Sequence, residues 1–213
     1  MKLENKVINF LGDSITEGHG TSAPDKKFSE LIRKKCKLAA ANNYGIGGTR
    51  IAKQTGKSDN PRHDLDFCGR FDGMAPCADM VFVFGGTNDF GHGDAPIGTF
   101  EDRTPDTFYG GLHYLMQGLI EKYPEAVIVI ATPLHRGGDM ISRNGRPTLL
   151  GFRNMIMEVA EFYSLPVLDL WSMSGLSVNS PVIREKYVPD SLHPNDAGHV
   201  ILADRIIGFL EAL

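Results

Sequence analysis

The chain has 213 residues, 42% of them hydrophobic and 23% charged, and 22 basic against 26 acidic side chains leave a formal charge of -4. This length suits a single α/β domain spanning residues 1–213, and the composition excludes both a disordered acidic tail and a membrane span. No long basic run is present to neutralise phosphates, which disfavours nucleic acid as a partner.

In chain order, short apolar runs alternate with segments of helical period, which is how βαβ units around a parallel sheet read in sequence. Strands are expected at 7–11, about 41–44, 80–84, 126–131 and 166–170, the second being the most polar. Between them, Phe28, Leu31, Ile32 and Leu38 approximate one helix face. Phe108, Leu112, Leu115, Met116, Leu119 and Tyr123 trace a second, with Thr104 as its expected cap, Pro105 in its first turn and Pro124 as its stop. Leu149, Phe152, Ile156, Val159 and Tyr163 give a third, and Val200, Ala203, Ile207 and Leu210 the last. Residues 53–79 and 132–147 are rich in Gly, Pro, Asp and Arg and read as long loops, candidates for substrate-shaping walls.

Cys36, Cys68 and Cys77 are the three cysteines, and none falls in a CxxC pair, which points to a reduced compartment. The apolar run before Gly12 is too short for a secretory h-region and lacks a small-residue cleavage site, so a cytoplasmic protein is expected.

Four stretches carry chemistry. Ser14 follows the first strand in Gly12-Asp13-Ser14-Ile15, where Gly12 permits a sharp exit that exposes the hydroxyl; taken alone, Ser14 could equally cap a helix. In Asp190-Ser191-Leu192-His193-Pro194 the three-residue offset lets the carboxylate accept from Nδ1, freeing Nε2 as a base, while Pro194 stiffens the turn. Alone, Asp190 could be a cap and His193 a surface residue. Gly85-Gly86-Thr87-Asn88-Asp89 leaves the third strand, and Asn88 can donate its amide to an oxyanion. Gly45-Ile46-Gly47-Gly48-Thr49 follows the second strand, where missing side chains let backbone N–H groups approach a ligand. Nearly all lie beyond strand C-termini, where open α/β sheets bind ligands.

These blocks resemble the GDSL/SGNH hydrolase superfamily. Gly12-Asp13-Ser14-Ile15 corresponds to the first block, Gly48 to the second, Gly86-Thr87-Asn88-Asp89 to the third and Asp190-Ser191-Leu192-His193-Pro194 to the last. The resemblance implies a flavodoxin-like three-layer α/β/α sandwich with a central parallel sheet of about five strands. It also implies a Ser14–His193–Asp190 triad and an oxyanion hole made by the N–H groups of Ser14 and Gly48 and the amide of Asn88, although Gly47 could replace Gly48. Thr16 stands where the G-x-S-x-G elbow of α/β-hydrolases requires glycine.

The expected activity is two-step hydrolysis of a small-molecule carboxylic ester, without cofactor or metal. Short acyl groups on a polar alcohol such as a sugar are expected, because 53–79 and 132–147 offer little for a long acyl chain. Phe67, Phe71, Met74 and Met140 could nevertheless build a local apolar wall, with Trp171 unplaced. The alternatives are an acyltransferase, a lysophospholipase or thioesterase, a non-catalytic carbohydrate-binding module and a flavodoxin-like nucleotide binder; no G-x-x-x-x-G-K-[ST] loop supports the last. The clusters His63, Asp64, Asp66 and His92, Asp94 read as solvated loop residues, not metal ligands. Arg136, Arg143 and Arg146 could recognise an anion but read as loop solvation. Asp13 and Asp89 read as turn-stabilising side chains.

Overall fold

Two side-chain periods divide the interior into two cores. In the computed structural model, which describes residues 1–142 and 145–213, five strands form one parallel sheet in the order β2-β1-β3-β4-β5. They are β1 (Val7–Gly12), β2 (Ala40–Gly45), β3 (Met80–Phe84), β4 (Val127–Ala131) and β5 (Val167–Leu168). Because successive side chains point to opposite faces, Met80, Phe82 and Phe84 of β3 enter one core while Val81 and Val83 enter the other. Ile8 and Phe10 of β1 join the first core, and Leu11 the second.

Helices α2 (Phe28–Cys36) and α9 (Asp196–Ala212) cover the first core. Helices α5 (Phe108–Lys122) and α6 (Leu149–Phe162) cover the second, together with the short α3 (Phe67–Arg70). Four short helices complete the set: α1 (Ser14–Glu17), α4 (Thr87–His92), α7 (Leu170–Met173) and α8 (Pro181–Tyr187). The result is the expected flavodoxin-like sandwich, whose strand order reverses between β1 and β3. Among the described residues no helix is long and apolar enough to cross a membrane.

Local expectations are corrected at several points. Helix α5 begins after Thr107, not Thr104: the Thr107 hydroxyl accepts from Gly110 N–H at 3.0 Å, whereas the Pro105 carbonyl is taken by Lys53 N–H. Strand β5 is only two residues long. Asp169 leaves the ladder to bind Arg153 and the Thr132 hydroxyl, and Leu170 opens α7. The inward face of α9 includes Ala203 and Leu210 as expected, but His199, Leu202 and Ile206 complete it, and Val200 faces outward at 40% exposure. Residues 53–79 are not bare loop either: they contain α3 and deliver Phe67, Phe71 and Met74 into the second core.

One tertiary contact substitutes for a missing local one. The residue before α2, Lys27, offers no side-chain cap, and Phe28 N–H instead donates to His199 Nδ1 of α9 at 3.1 Å. The imidazole stacks on the Phe28 ring, with centroids 5.8 Å apart and planes 11° apart. Burial pushes its pKa down to about 4, so it is neutral where it accepts. A folded-state value below the unfolded one means that the unfolded chain binds the extra proton first, so stability is lost as pH falls from about 6.5 toward 4. We expect His199→Phe to keep the stacking but orphan the Phe28 donor, costing about 1–3 kcal/mol at pH 7.5. At pH 5 the native protein gives up about 2 kcal/mol on this account and the variant none, so the gap narrows. Urea midpoints at the two pH values check this; an equal deficit at both would rule out a neutral buried His199 as the source.

Candidate active site

The site lies at the strand-order reversal. Gly12 pairs with Gly45 of β2 on one side and with Phe84 of β3 on the other, so the turns leaving these three strands meet. A Cβ on Gly12 would stand 1.9 Å from Thr16 Oγ1 and 2.9 Å from the Phe84 carbonyl, so only glycine lets α1 fold back over the strand ends. Asp13 caps that helix by accepting from Ile15 N–H at 3.0 Å, and Ser14 is its first residue.

Ser14 Oγ and His193 Nε2 are 2.9 Å apart, and His193 Nδ1 and Asp190 Oδ2 are 2.7 Å apart. An ionised carboxylate only accepts, so Nδ1 carries the proton and Nε2 is left to accept from the hydroxyl. The other Asp190 oxygen accepts the N–H groups of Leu192 and His193 at 2.9 and 2.7 Å. Burial opposes the Asp190 charge, but the N–H and imidazole of His193 and the N–H of Leu192 outweigh it and hold the carboxyl below its usual range. The turn is completed by Ser191 at φ 64°, whose carbonyl accepts from Gly137 N–H at 2.8 Å.

Gly48 and Asn88 arrive from β2 and β3. Gly47 N–H donates to Glu17 Oε2 at 2.6 Å, whereas Gly48 N–H has no partner among the described residues; that distinguishes the two candidate glycines. Gly48 has φ +77°, and His63 lies against its Cα so closely that a Cβ would come within 2.3 Å of His63 Nε2. Asn88 is buried, and Nδ2 donates to the Thr49 carbonyl at 3.0 Å, which orients an amide that has a second N–H to give. Serine, glycine, asparagine and the Asp–His pair therefore converge on one rim, an arrangement able to transfer a proton from a hydroxyl and to face an oxyanion with N–H donors.

The family scan adds a match to the description GDSL-like lipase/acylhydrolase over residues 10–201. The chain belongs to this family. No curated relative matches. A solved structure from Lactobacillus plantarum is 27% identical, covering 98% of this chain and 98% of its own, with TM-score 0.85. A possible lipase from Chitinophaga pinensis is 22% identical over 96% and 97%, with TM-score 0.71, and an acetyl xylan esterase is 21% identical over 94% and 98%, with TM-score 0.65. As a member of the GDSL-like lipase/acylhydrolase family the protein is a carboxylic ester hydrolase.

The GDSL hydrolase places other expected residues elsewhere. Of the suggested apolar wall, Phe67, Phe71 and Met74 are core residues, Met140 is 56% exposed, and Trp171 packs on His135 with ring centroids 3.8 Å apart. Arg136 donates to Thr87 O and Oγ1, and Arg146 to the carbonyls of Gly93 and Asp89, so both hold α4 in place instead of solvating a loop; Arg143 lies outside the described residues. Of the two polar clusters, His92 and Asp94 are exposed as expected of solvated residues, while Asp64 and His92 also bond Arg50, a 3% exposed cation. Asp66 caps α3 through Gly69 N–H at 2.7 Å. Among the described residues no three His, Cys, Asp or Glu side chains form a metal-ligand group.

Sequence reasoning passed over Arg50, Arg70, Glu17 and His19. Arg70 donates to the Gly12 and Tyr44 carbonyls and to Thr49 Oγ1. Glu17 accepts from Gly47 N–H and from Arg62, and the His19 ring stands 5.5 Å from that of His193. Each belongs to an otherwise ordinary polar segment, and only the closeness of Glu17 and His19 to Ser14, three and five residues on, signals a part in the site.

Beside Ser14, Asp13 and Asp89 are fully enclosed carboxyls. Asp89 accepts from the N–H groups of Ile51 and Ala52, as Asp13 does from Ile15. Burial pushes Asp13 up to about 7 and Asp89 to about 6, the backbone donors partly offsetting it. With the folded value of Asp13 above its ordinary one, its contribution is complete below pH 4 and is lost as pH rises through about 7. Asp13→Asn keeps the acceptor for Ile15 N–H and removes the buried charge. Its stability relative to the native protein should therefore climb between pH 5 and 8.5, by about 1.4 kcal/mol per unit of pKa difference traversed. Tm differences at those two pH values test this; a constant offset would mean that Asp13 is not protonated at the lower pH.

Proposed function

We propose that Ser14 is the nucleophile, His193 the general base and acid, and Asp190 the group that orients and charges the imidazole. The observation that carries the reading is the continuous Ser14–His193–Asp190 hydrogen-bond chain across 2.9 and 2.7 Å. Ser14 Oγ attacks the ester carbonyl as its proton passes to His193 Nε2. The resulting oxyanion is met by the N–H groups of Ser14 and Gly48 and the free N–H of Asn88. Collapse breaks the bond to the alcohol oxygen, which leaves with the proton from His193. Water, deprotonated by His193, then attacks the acyl-enzyme and releases the acid, restoring Ser14.

The preferred substrate is a short-chain ester, acetyl to roughly butyryl, of a polar alcohol such as a sugar. Three features support this. Phe67, Phe71 and Met74 of the candidate apolar wall lie in the core, the residues around Gly47 and Gly48 are polar (Glu17, His19, Arg62, His63), and the similar fold described as an acetyl xylan esterase carries this chemistry in that protein.

Ser14→Ala should abolish hydrolysis of p-nitrophenyl acetate while leaving the circular dichroism spectrum unchanged; turnover in a folded variant would sink the mechanism. Asn88→Ala should lower kcat by about 10²–10³ with a much smaller change in KM. Loss confined to KM would make Asn88 a substrate-binding group instead. His193→Ala should approach the loss of the serine, and Asp190→Ala should retain more activity because the carboxylate does not itself exchange the proton. Across a p-nitrophenyl ester series kcat/KM should fall beyond four carbons. A rise toward eight to twelve would favour a lipase-like or thioesterase-like enzyme.

A further inference from the structure

The His63 ring that packs against Gly48 also lines a cavity of about 470 Å³. That volume lies in the ~300–1,000 Å³ range of small-molecule sites. Its wall is built from the buried Arg50 and from Ser58, Asn60, His63 and His92, and none of its lining residues is aliphatic or carries a benzene or indole ring. Arg50 donates to His92 Nδ1 at 3.0 Å and to Ser58 Oγ at 3.0 Å, and it pairs with Asp64 at 3.1 Å. Because a guanidinium can only donate, His92 Nδ1 is the acceptor and Nε2–H is the nitrogen left to give. With Nδ1 accepting from Arg50 the ring is neutral, and partial burial, with Arg50 and His63 adding to it, pushes its pKa down to about 4. Arg50 Nε is itself buried with no hydrogen-bond partner among the described residues.

Charge and shape narrow the occupant. The cations lining the cavity, Arg50 and Lys57, are matched by the carboxylates Asp59 and Asp94, and Arg50 is already paired with Asp64. A phosphate or carboxylate therefore gains no unpaired cation here, and a fatty chain finds no apolar wall. What remains is a set of neutral donors and acceptors around two tilted imidazoles, His63 and His92, whose centroids are 5.5 Å apart. Hydroxyl groups suit such a set because each both donates and accepts, and a ring face of C–H groups can lie on the imidazoles.

We propose that this cavity is the subsite for the alcohol half of the ester, receiving one uncharged pyranose-type ring, with His63 and His92 as the residues that select it. The proposal rests on the ester-hydrolase reading given above, and it places the acyl carbonyl at Gly48 and the sugar beside His63.

The test has a binding arm and a turnover arm. In the first, Ser14→Ala protein is titrated with methyl β-D-xylopyranoside and followed by saturation-transfer NMR, which needs no catalysis. Saturable binding is expected, weakened about tenfold by His63→Leu or His92→Phe, the consequence of one lost hydrogen bond to a neutral group. Lys57→Trp, at an exposed position on the cavity wall, should block binding without touching the Arg50 network. In the second arm the same changes are made with Ser14 intact, and kcat/KM is measured for a monoacetylated methyl xyloside and for p-nitrophenyl acetate. The ratio of the two should fall about tenfold through KM for the sugar ester. Absence of saturable xyloside binding, or binding and ratios unchanged in all three folded variants, overturns the subsite even if Ser14-dependent aryl-ester hydrolysis persists. Tighter binding of xylose 1-phosphate than of the neutral glycoside also overturns it. Xyloside binding that the variants weaken, with no Ser14-dependent hydrolysis of either ester, upholds the subsite and defeats the catalytic reading instead.

Discussion

One half-buried cation, Arg70, ties together the strand ends on which the site is built. Its guanidinium reaches the carbonyls of Gly12 and Tyr44, the last stretch of β1 and β2, and the hydroxyl of Thr49, while its Cζ lies 4.8 Å from the Phe67 ring centroid. Each of these atoms is within a few residues of a site group: Gly12 precedes Ser14 by two, Thr49 follows Gly48, and the Thr49 carbonyl orients the Asn88 amide. Burial lowers the Arg70 pKa to about 10, and the nearby carboxyls of Asp13, Asp66 and Glu17 act in the opposite direction. A partly enclosed cation held by carbonyls is destabilising to remove, because several acceptors lose their donor at once.

The sequence carries the chemistry clearly because backbone necessity and chemistry coincide there. Gly12 is required by the contact between α1 and the sheet, Asp13 by the cap of α1, and Ser14 comes first after that cap, so the motif of the proposed nucleophile is also a folding motif. The same holds for Asp190 and His193, whose spacing of three residues closes a turn in which one carboxylate serves two backbone N–H groups and the imidazole. The apolar strands β3 and β4 were legible for a different reason: buried on both faces, they must be continuous hydrophobic runs.

What stayed illegible depends on partners far away in sequence. Thr104 and Thr107 are equivalent candidates for a cap until the Pro105 carbonyl is seen to be engaged by Lys53. Strand β5 is expected to run to 170 because Val167, Leu168 and Leu170 are apolar, whereas Arg153 and Thr132 draw Asp169 out of the ladder. Segment 53–79 has a loop's composition, yet its few large apolar side chains are the ones that enter the core, and its polar ones wrap Arg50. Composition averages over a segment and hides such a division. Arg50 and Arg70 illustrate the same limit, since an arginine written in a polar stretch gives no sign that its guanidinium will be enclosed.

The proposed base, His193, is held from more directions than its motif encodes. Ser191, at φ 64°, occupies the left-handed region where a residue with a Cβ is strained, so the turn persists only if its surroundings hold it. Gly137 N–H supplies one hold on the Ser191 carbonyl, and a Cβ at Gly137 would stand 3.2 Å from that of Ser191, so the two loops touch along their backbones. The loop bearing Gly137 is in turn fixed by His135 and the buried Asp139, 2.6 Å apart, and by Trp171 packed on the His135 ring. His193 therefore inherits its position from β4's exit as well as from its own turn. Orientation of the imidazole toward Ser14 is a property of two loops 50 residues apart, roughly the separation of Arg136–Asp139 from Asp190–His193, and not of the Asp–x–x–His spacing alone.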